Sequence, residues 1–164
     1  MIVLACEGNT EVDFIDSLIK KGYPSFSDRI LMDGPWHIRQ LKDVKGAINA
    51  LPINEEITVY RIGDTLRDEL SLKGFELRAE RIKIHKVCTK PEIEVLMIID
   101  KGDYNDFMKS GEKPKTYCRV NYPNEDPLAY LTSHDMRWAI KEYARIKRHQ
   151  KNEHYLIDLL NHTI

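Results

Sequence analysis

Residues 2–6, Ile-Val-Leu-Ala-Cys, form an unbroken apolar run that stops at Glu7-Gly8-Asn9-Thr10. A run this short, apolar at successive positions, fits a strand buried on both faces, and such strands belong to parallel sheets covered by helices on each side. Beyond the turn the period changes. Phe14, Ile15, Leu18 and Ile19 recur at helical spacing, Thr10 stands as a candidate N-cap, and Lys20-Lys21-Gly22 closes the helix with cations and a glycine stop. One carboxylate, Glu7, therefore stands where the strand ends and another, Glu11, where the helix begins. In open α/β sheets the carboxyl ends of the strands line the ligand-binding crevice.

The same change of period continues along the chain. Arg29–Met32 is expected as a short second strand ended by Asp33-Gly34-Pro35, followed by a helix from Trp36 to about Leu51 carrying Ile38, Leu41, Val44 and Ile48. Glu56–Ile62 is rich in β-branched and aromatic residues and predicts a third strand, running into Gly63-Asp64-Thr65. A short helix is expected over residues 65–73. Arg81–Cys88 alternates as a fourth strand, and Pro91 suits the first position of the next helix. Residues 101–114 read as partly irregular, Tyr117–Val120 as a short edge strand, and Pro127–Leu131 as a short helix. A longer helix follows with Met136, Ile140, Tyr143 and Ile146 inward, and a last amphipathic piece spans Glu153–Leu160. Strands alternating with helices predict an α/β fold with a mostly parallel sheet of about four strands. The expected division is an α/β domain over residues 1–122 and a helical extension over 123–164.

Charge and composition narrow the function classes. With 42% hydrophobic and 31% charged residues the 164-residue chain reads as a globular protein. No apolar run approaches the roughly 20 residues that span a bilayer. The opening run has no basic leader, so no signal peptide is expected. The cysteines, Cys6, Cys88 and Cys118, are far apart and odd in number, which predicts buried reduced thiols in the cytosol. The six histidines lack HExxH spacing, and Gly8 stands alone, which argues against a glycine-rich phosphate loop. A net charge of −1 supplies no global attraction to nucleic acid. Locally, Arg137, Lys141, Arg145 and Arg148 recur on one helix face and suit salt-sensitive phosphate contacts; a solvated helix face explains them equally well. A second basic group surrounds Trp36, at His37, Arg39, Lys42 and Lys45.

Glu7 after the first strand, Asp64 after the third and Glu94 after the fourth occupy corresponding topological places, which a parallel sheet brings to one edge. Carboxylates gathered this way repel unless a cation neutralises them. The hard cation suited to oxygen ligands and an incomplete shell is Mg²⁺, whose usual work in such a site is phosphoryl chemistry. Each acid also has a plain structural explanation. Glu7-Gly8 would be an ordinary turn, Asp64 an N-cap, and Glu11, Glu92 and Glu94 acids favoured near helix N-termini.

Cys-Glu-Gly-Asn-Thr-Glu after an apolar strand resembles the opening E-G-x-T-E motif of Toprim-type domains in the OLD-nuclease and RloB-like branch. Lys90-Pro91-Glu92-Ile93-Glu94-Val95-Leu96 is similar to a later motif of that branch. The resemblance covers residues 1–100. It implies a cytoplasmic, Mg²⁺-dependent nuclease of bacterial defence systems or mobile elements. In it Glu7 is the acid/base or metal-linked glutamate, Glu11 its companion and Glu94 a late metal ligand. The middle motif departs from the family's Asp-x-Asp: Asp64 is followed by Leu66 where the second aspartate belongs, and Asp68, four residues on, would stand in for it. Leu66 favours the rival expectation, a non-catalytic Toprim-like binding or regulatory module. A third is an α/β enzyme acting on a small phosphorylated substrate. The expected partner is DNA or RNA, with room for a protein partner or a homo-oligomer and none for a membrane.

Overall fold

β1 (Ile2–Cys6) is buried at all five positions and lies inside the sheet, between β2 (Ile30–His37) and β3 (Ile57–Gly63). β4 (Ile82–Cys88) pairs with the far side of β3, giving the order β2-β1-β3-β4 with every pair parallel. The structure, a computed structural model, describes residues 1–24, 26–64, 69–147 and 154–161. The α/β class and the four-stranded parallel sheet follow the sequence expectation.

The period-2 alternation of the strands divides the core into two layers. Ile2, Leu4, Cys6, Tyr60 and Ile62 face one layer, which holds α1 (Asn9–Lys20) through Phe14, Ile15 and Leu18. Val3, Ala5, Ile57 and Val59 face the other, against Ile38, Leu41, Phe75 and Ile48 of α2 (Lys45–Ala50). The chain thus leaves β1 through α1 on one face and enters β3 from α2 on the opposite face. The strand order reverses between β1 and β3, and the crevice beyond their carboxyl ends is the topological switch point of the sheet.

α1 begins two residues earlier than expected, with Gly8 in the cap position and Thr10 inside the first turn. Gly22, at φ 70°, ends it: its N–H reaches Ile19 O and the Tyr23 N–H reaches Leu18 O, satisfying the last carbonyls. β2 does not stop at Asp33-Gly34-Pro35. The register jumps from Ile2↔Ile30 to Leu4↔Pro35, with Met32 and Asp33 at positive φ absorbing the extra residues as a bulge. Pro35 is tolerated because β2 is an edge strand. Trp36 consequently lies on β2, paired with Ala5, and the helix expected from Trp36 to Leu51 shrinks to a 3-10 turn, Leu41–Val44, and α2.

Residues 65–68 of the helix expected over residues 65–73 lie outside the described residues; the described part, 69–73, is not helical. Pro91 does not open a helix. It follows a cis bond to Lys90, and α3 starts only at Val95 (Val95–Asp100). The strand expected at Tyr117–Val120 is part of a helix, α5 (Pro114–Asn121), preceded by α4 (Tyr104–Ser110). Four residues were too few to separate the two periods. Pro114 at the first helical turn and the burial of Tyr117 and Cys118 beside exposed Val120 fix the helical outcome.

α6 (Pro127–Ser133), α7 (Arg137–Lys147) and α8 (Leu156–Asn161) match the expected tail. They are continuous with the α1 layer through Leu131, Met136, Ile140, Tyr143 and Leu159. Each such side chain contributes about 1.5–3 kcal/mol on burial. The Tyr143 hydroxyl donates to Lys90 O at 2.5 Å, and His154 bridges the free edge of β4 by exchanging backbone bonds with Lys86 and Cys88. No helix among the described residues is long and apolar enough to cross a membrane.

Candidate functional site

Glu7 follows β1 directly and its N–H donates to Ile62 O at 2.8 Å, so the β1–β3 ladder places it at the switch point. Its side chain lies across the end of β3. A Cβ added at Gly63 would overlap the Glu7 carboxylate and come within 2.6 Å of the Glu7 Cβ. Gly63 is therefore the residue that lets Glu7 occupy the crevice. At Gly8 an added Cβ would stand 2.9 Å from Glu11 Oε2, the movable end of that side chain.

Asp64 leaves β3 beside them. Glu94, 5% exposed, sits in the turn that leads into α3. Glu7, Glu11, Asp64, Glu92 and Glu94 line one cleft of about 250 Å³ with Thr10 and Lys115. Among the described residues, five carboxylates thus face a single ammonium. Two arms hold the far wall: the Lys115 N–H donates to Glu92 Oε2 at 3.0 Å, and Lys115 Nζ lies 3.8 Å from Glu94 Oε1.

The carboxyls respond to burial and to one another. Glu11 is pushed above its ordinary value by burial, then by the Asp64 and Glu7 charges. Asp64 is raised by burial and then by Glu7 and Glu92. Glu94 is raised by burial, although Lys115 pulls the other way. Burial wins at Glu94 because the ammonium is well exposed and at the outer limit of an ion pair, where solvent screens it.

Cys6, next to Glu7, offers no nucleophile: burial, reinforced by the Glu11 charge, holds its thiol far above the thiolate range. All three cysteines are buried and free, and Cys118 is pushed up to about 11. Among the described residues no group of three or more His, Cys, Asp or Glu stands ready-made to hold a metal ion. The chemistry of the donor set is oxygen throughout, with carboxyls crowded by like charge, and that is the chemistry a hard divalent cation satisfies.

Four of the expected site residues, Glu7, Glu11, Asp64 and Glu94, therefore share the cleft. Asp68 and Leu66 lie outside the described residues. Lys115 is not among the residues expected at the site, and Glu92 is expected only as a helix-start acid. Lys115 reaches the cleft through a helix that the pattern of residues 117–120 does not announce; Pro114, at its first turn, is the local signal for it.

The expected basic face is elsewhere, on α7. Arg137 is held by Asp135, Nε to Oδ1 at 2.9 Å, and lies over the Tyr23 ring at 4.7 Å. Arg145 is held by Glu142, Nε to Oε2 at 2.9 Å. Lys141 is exposed, and Arg148 lies outside the described residues. Comparison with protein-family models, curated proteins and solved structures gave no match.

Proposed function

We propose that this cleft binds a divalent cation, Mg²⁺ by its donor chemistry, and acts on phosphodiester bonds as a Toprim-like nuclease. The observation that carries the reading is the convergence of Glu7, Glu11, Asp64, Glu92 and Glu94 at the β1/β3 switch point. Asp64 and Glu94, with Asp68, are the proposed cation ligands. When bound, the cation would polarise a phosphate oxygen and offset the charge that develops on it. Glu7 is the proposed acid/base, held in place by the β1–β3 ladder and by Gly63. The raised carboxyl of Glu11 suits it to share proton transfer nearer neutral pH. The arrangement also agrees with the E-G-x-T-E resemblance, which extends the proposal to a cytoplasmic protein of bacterial defence or a mobile element.

One observation favours the second reading, a binding or regulatory module without catalysis. Lys115 already brings a positive charge against Glu94. The two readings part in a cleavage assay on DNA and RNA, single- and double-stranded, with Mg²⁺ or Mn²⁺. The nuclease reading expects metal-dependent products and a loss of about 10²–10⁴-fold in Glu7→Gln, the range for removing a general acid/base. Unchanged cleavage by Glu7→Gln overturns the role of Glu7. A wild-type protein that cleaves none of these substrates leaves the binding module.

A further inference from the structure

A second cavity, about 510 Å³, opens beside the acidic cleft and shares Thr10, Glu94 and Lys115 with it. Its volume falls in the range of clefts that hold a small molecule. We propose that it is the subsite for one unpaired nucleotide adjoining the phosphodiester processed in the cleft, which makes single-stranded nucleic acid the substrate class. The inference rests on the nuclease reading of the cleft and adds the substrate to it.

The walls are sorted by chemistry. Lys115 and Arg119 stand four residues apart on α5, so they share a helix face, and both line the cavity. Arg119 is exposed and makes no hydrogen bond or ion pair among the described residues. The acids nearby are already engaged. Glu125 takes Lys101 Nζ at 2.7 Å, and Asp126 caps α6 by accepting the Ala129 N–H at 2.8 Å. Among the described residues the Arg119 guanidinium is thus open to a phosphate, and its planar fork suits phosphate oxygens.

Pro123, Pro127 and Leu128 also line the cavity and supply apolar surface suited to the flat face of a base. The Tyr122 hydroxyl is fixed on Asp103 at 2.5 Å and its ring carries Lys101 at 4.8 Å, so this part of the wall is braced. A phosphate between Lys115 and Arg119 would lie at the boundary the two cavities share, next to the carboxylates. A base paired and stacked in a duplex cannot enter such a recess, whereas an unpaired one can.

The test is fluorescence anisotropy with a labelled oligo-dT strand of about 12 nucleotides, within the usual span of single-strand sites, and a blunt duplex of equal length. EDTA is present, so that binding is read without metal-dependent cleavage. The expected result is tighter binding of the single strand. Arg119→Gln should weaken it about tenfold, the loss of one charge-assisted contact, and lower the salt slope by about 0.7. Leu128→Trp, which fills the recess, should weaken it as well, with circular dichroism confirming that both variants fold. Wild-type affinity in both variants, preference for the duplex, or no single-strand binding by the wild type overturns the subsite. If Glu7→Gln still abolishes cleavage in that case, the nuclease reading stands without it. If the strand binds as expected and nothing is cleaved, the nuclease reading falls instead.

Discussion

Replacing Gly63 with alanine places a methyl group where Glu7 lies, overlapping its carboxylate and standing 2.6 Å from its Cβ and 3.0 Å from its Cδ. Gly63 is not among the positive-φ residues, so alanine meets no backbone penalty there. Rotation of the Glu7 side chain would free the carboxylate but not the Cβ, which is fixed by the ladder bond from Glu7 N to Ile62 O. Overpacking of this kind costs about 1–3 kcal/mol. Against it stands a gain of about 0.4–1 kcal/mol from the stiffer unfolded chain. The net loss is about 1–2 kcal/mol, or roughly 2–8 °C in Tm for a chain of this size. Urea and thermal melts of wild type, Gly63→Ala, Glu7→Gly and the double variant give the coupling directly. In the Glu7→Gly background the alanine penalty should vanish, a coupling of about 1 kcal/mol or more. An equal penalty in both backgrounds, or a stabilising Gly63→Ala, would refute the placement of Glu7 across the end of β3.

Two further outcomes follow from the electrostatics of the cleft. Because Glu94 holds its proton more tightly folded than unfolded, its contribution is fully present below the ordinary carboxylate pKa and is lost as pH rises through the raised value. Glu94→Gln should therefore stabilise the protein by about 0.5–2 kcal/mol at pH near 8 and far less at pH near 4, read from urea midpoints; a larger gain at the acidic end contradicts the burial argument. Lys115→Met removes the ammonium facing the carboxylates. A divalent ion held in the cleft would be repelled by this ammonium by on the order of 1 kcal/mol in surroundings close to water, so the variant should bind Mn²⁺ several-fold more tightly by calorimetry. Weaker binding would show that Lys115 supports the site instead of opposing the cation.

Much of the sheet was legible because buried parallel strands announce themselves locally. Ile2–Cys6 and Ile57–Gly63 are apolar or β-branched throughout, and the glycines and acids that follow them mark the strand ends. The convergence of Glu7, Asp64 and Glu94 was legible from topology alone, since parallel strands bring their carboxyl ends to one edge. What stayed hidden depends on contacts far apart in sequence. The bulge that carries β2 through Pro35 arises from its register against β1, and nothing in Arg29–Met32 signals it. Lys115 lies beside the acids in a turn where Glu92 accepts its N–H at the start of α5. The cavity joined to the cleft is assembled largely from α5, where the residue pattern suggests an edge strand, the loop after it and the start of α6, which is helical as expected.

The most direct measurement is calorimetric titration of Mg²⁺ and Mn²⁺ into the wild-type protein and into Asp64→Asn/Glu94→Gln at neutral pH. The wild type should bind about one cation at millimolar concentration or below, and the double variant should lose that binding while keeping its fold by circular dichroism. A wild-type protein that takes up no cation at millimolar metal, or a double variant that binds as tightly as the wild type, would contradict the assignment of the acidic cleft as a cation-dependent phosphodiester site.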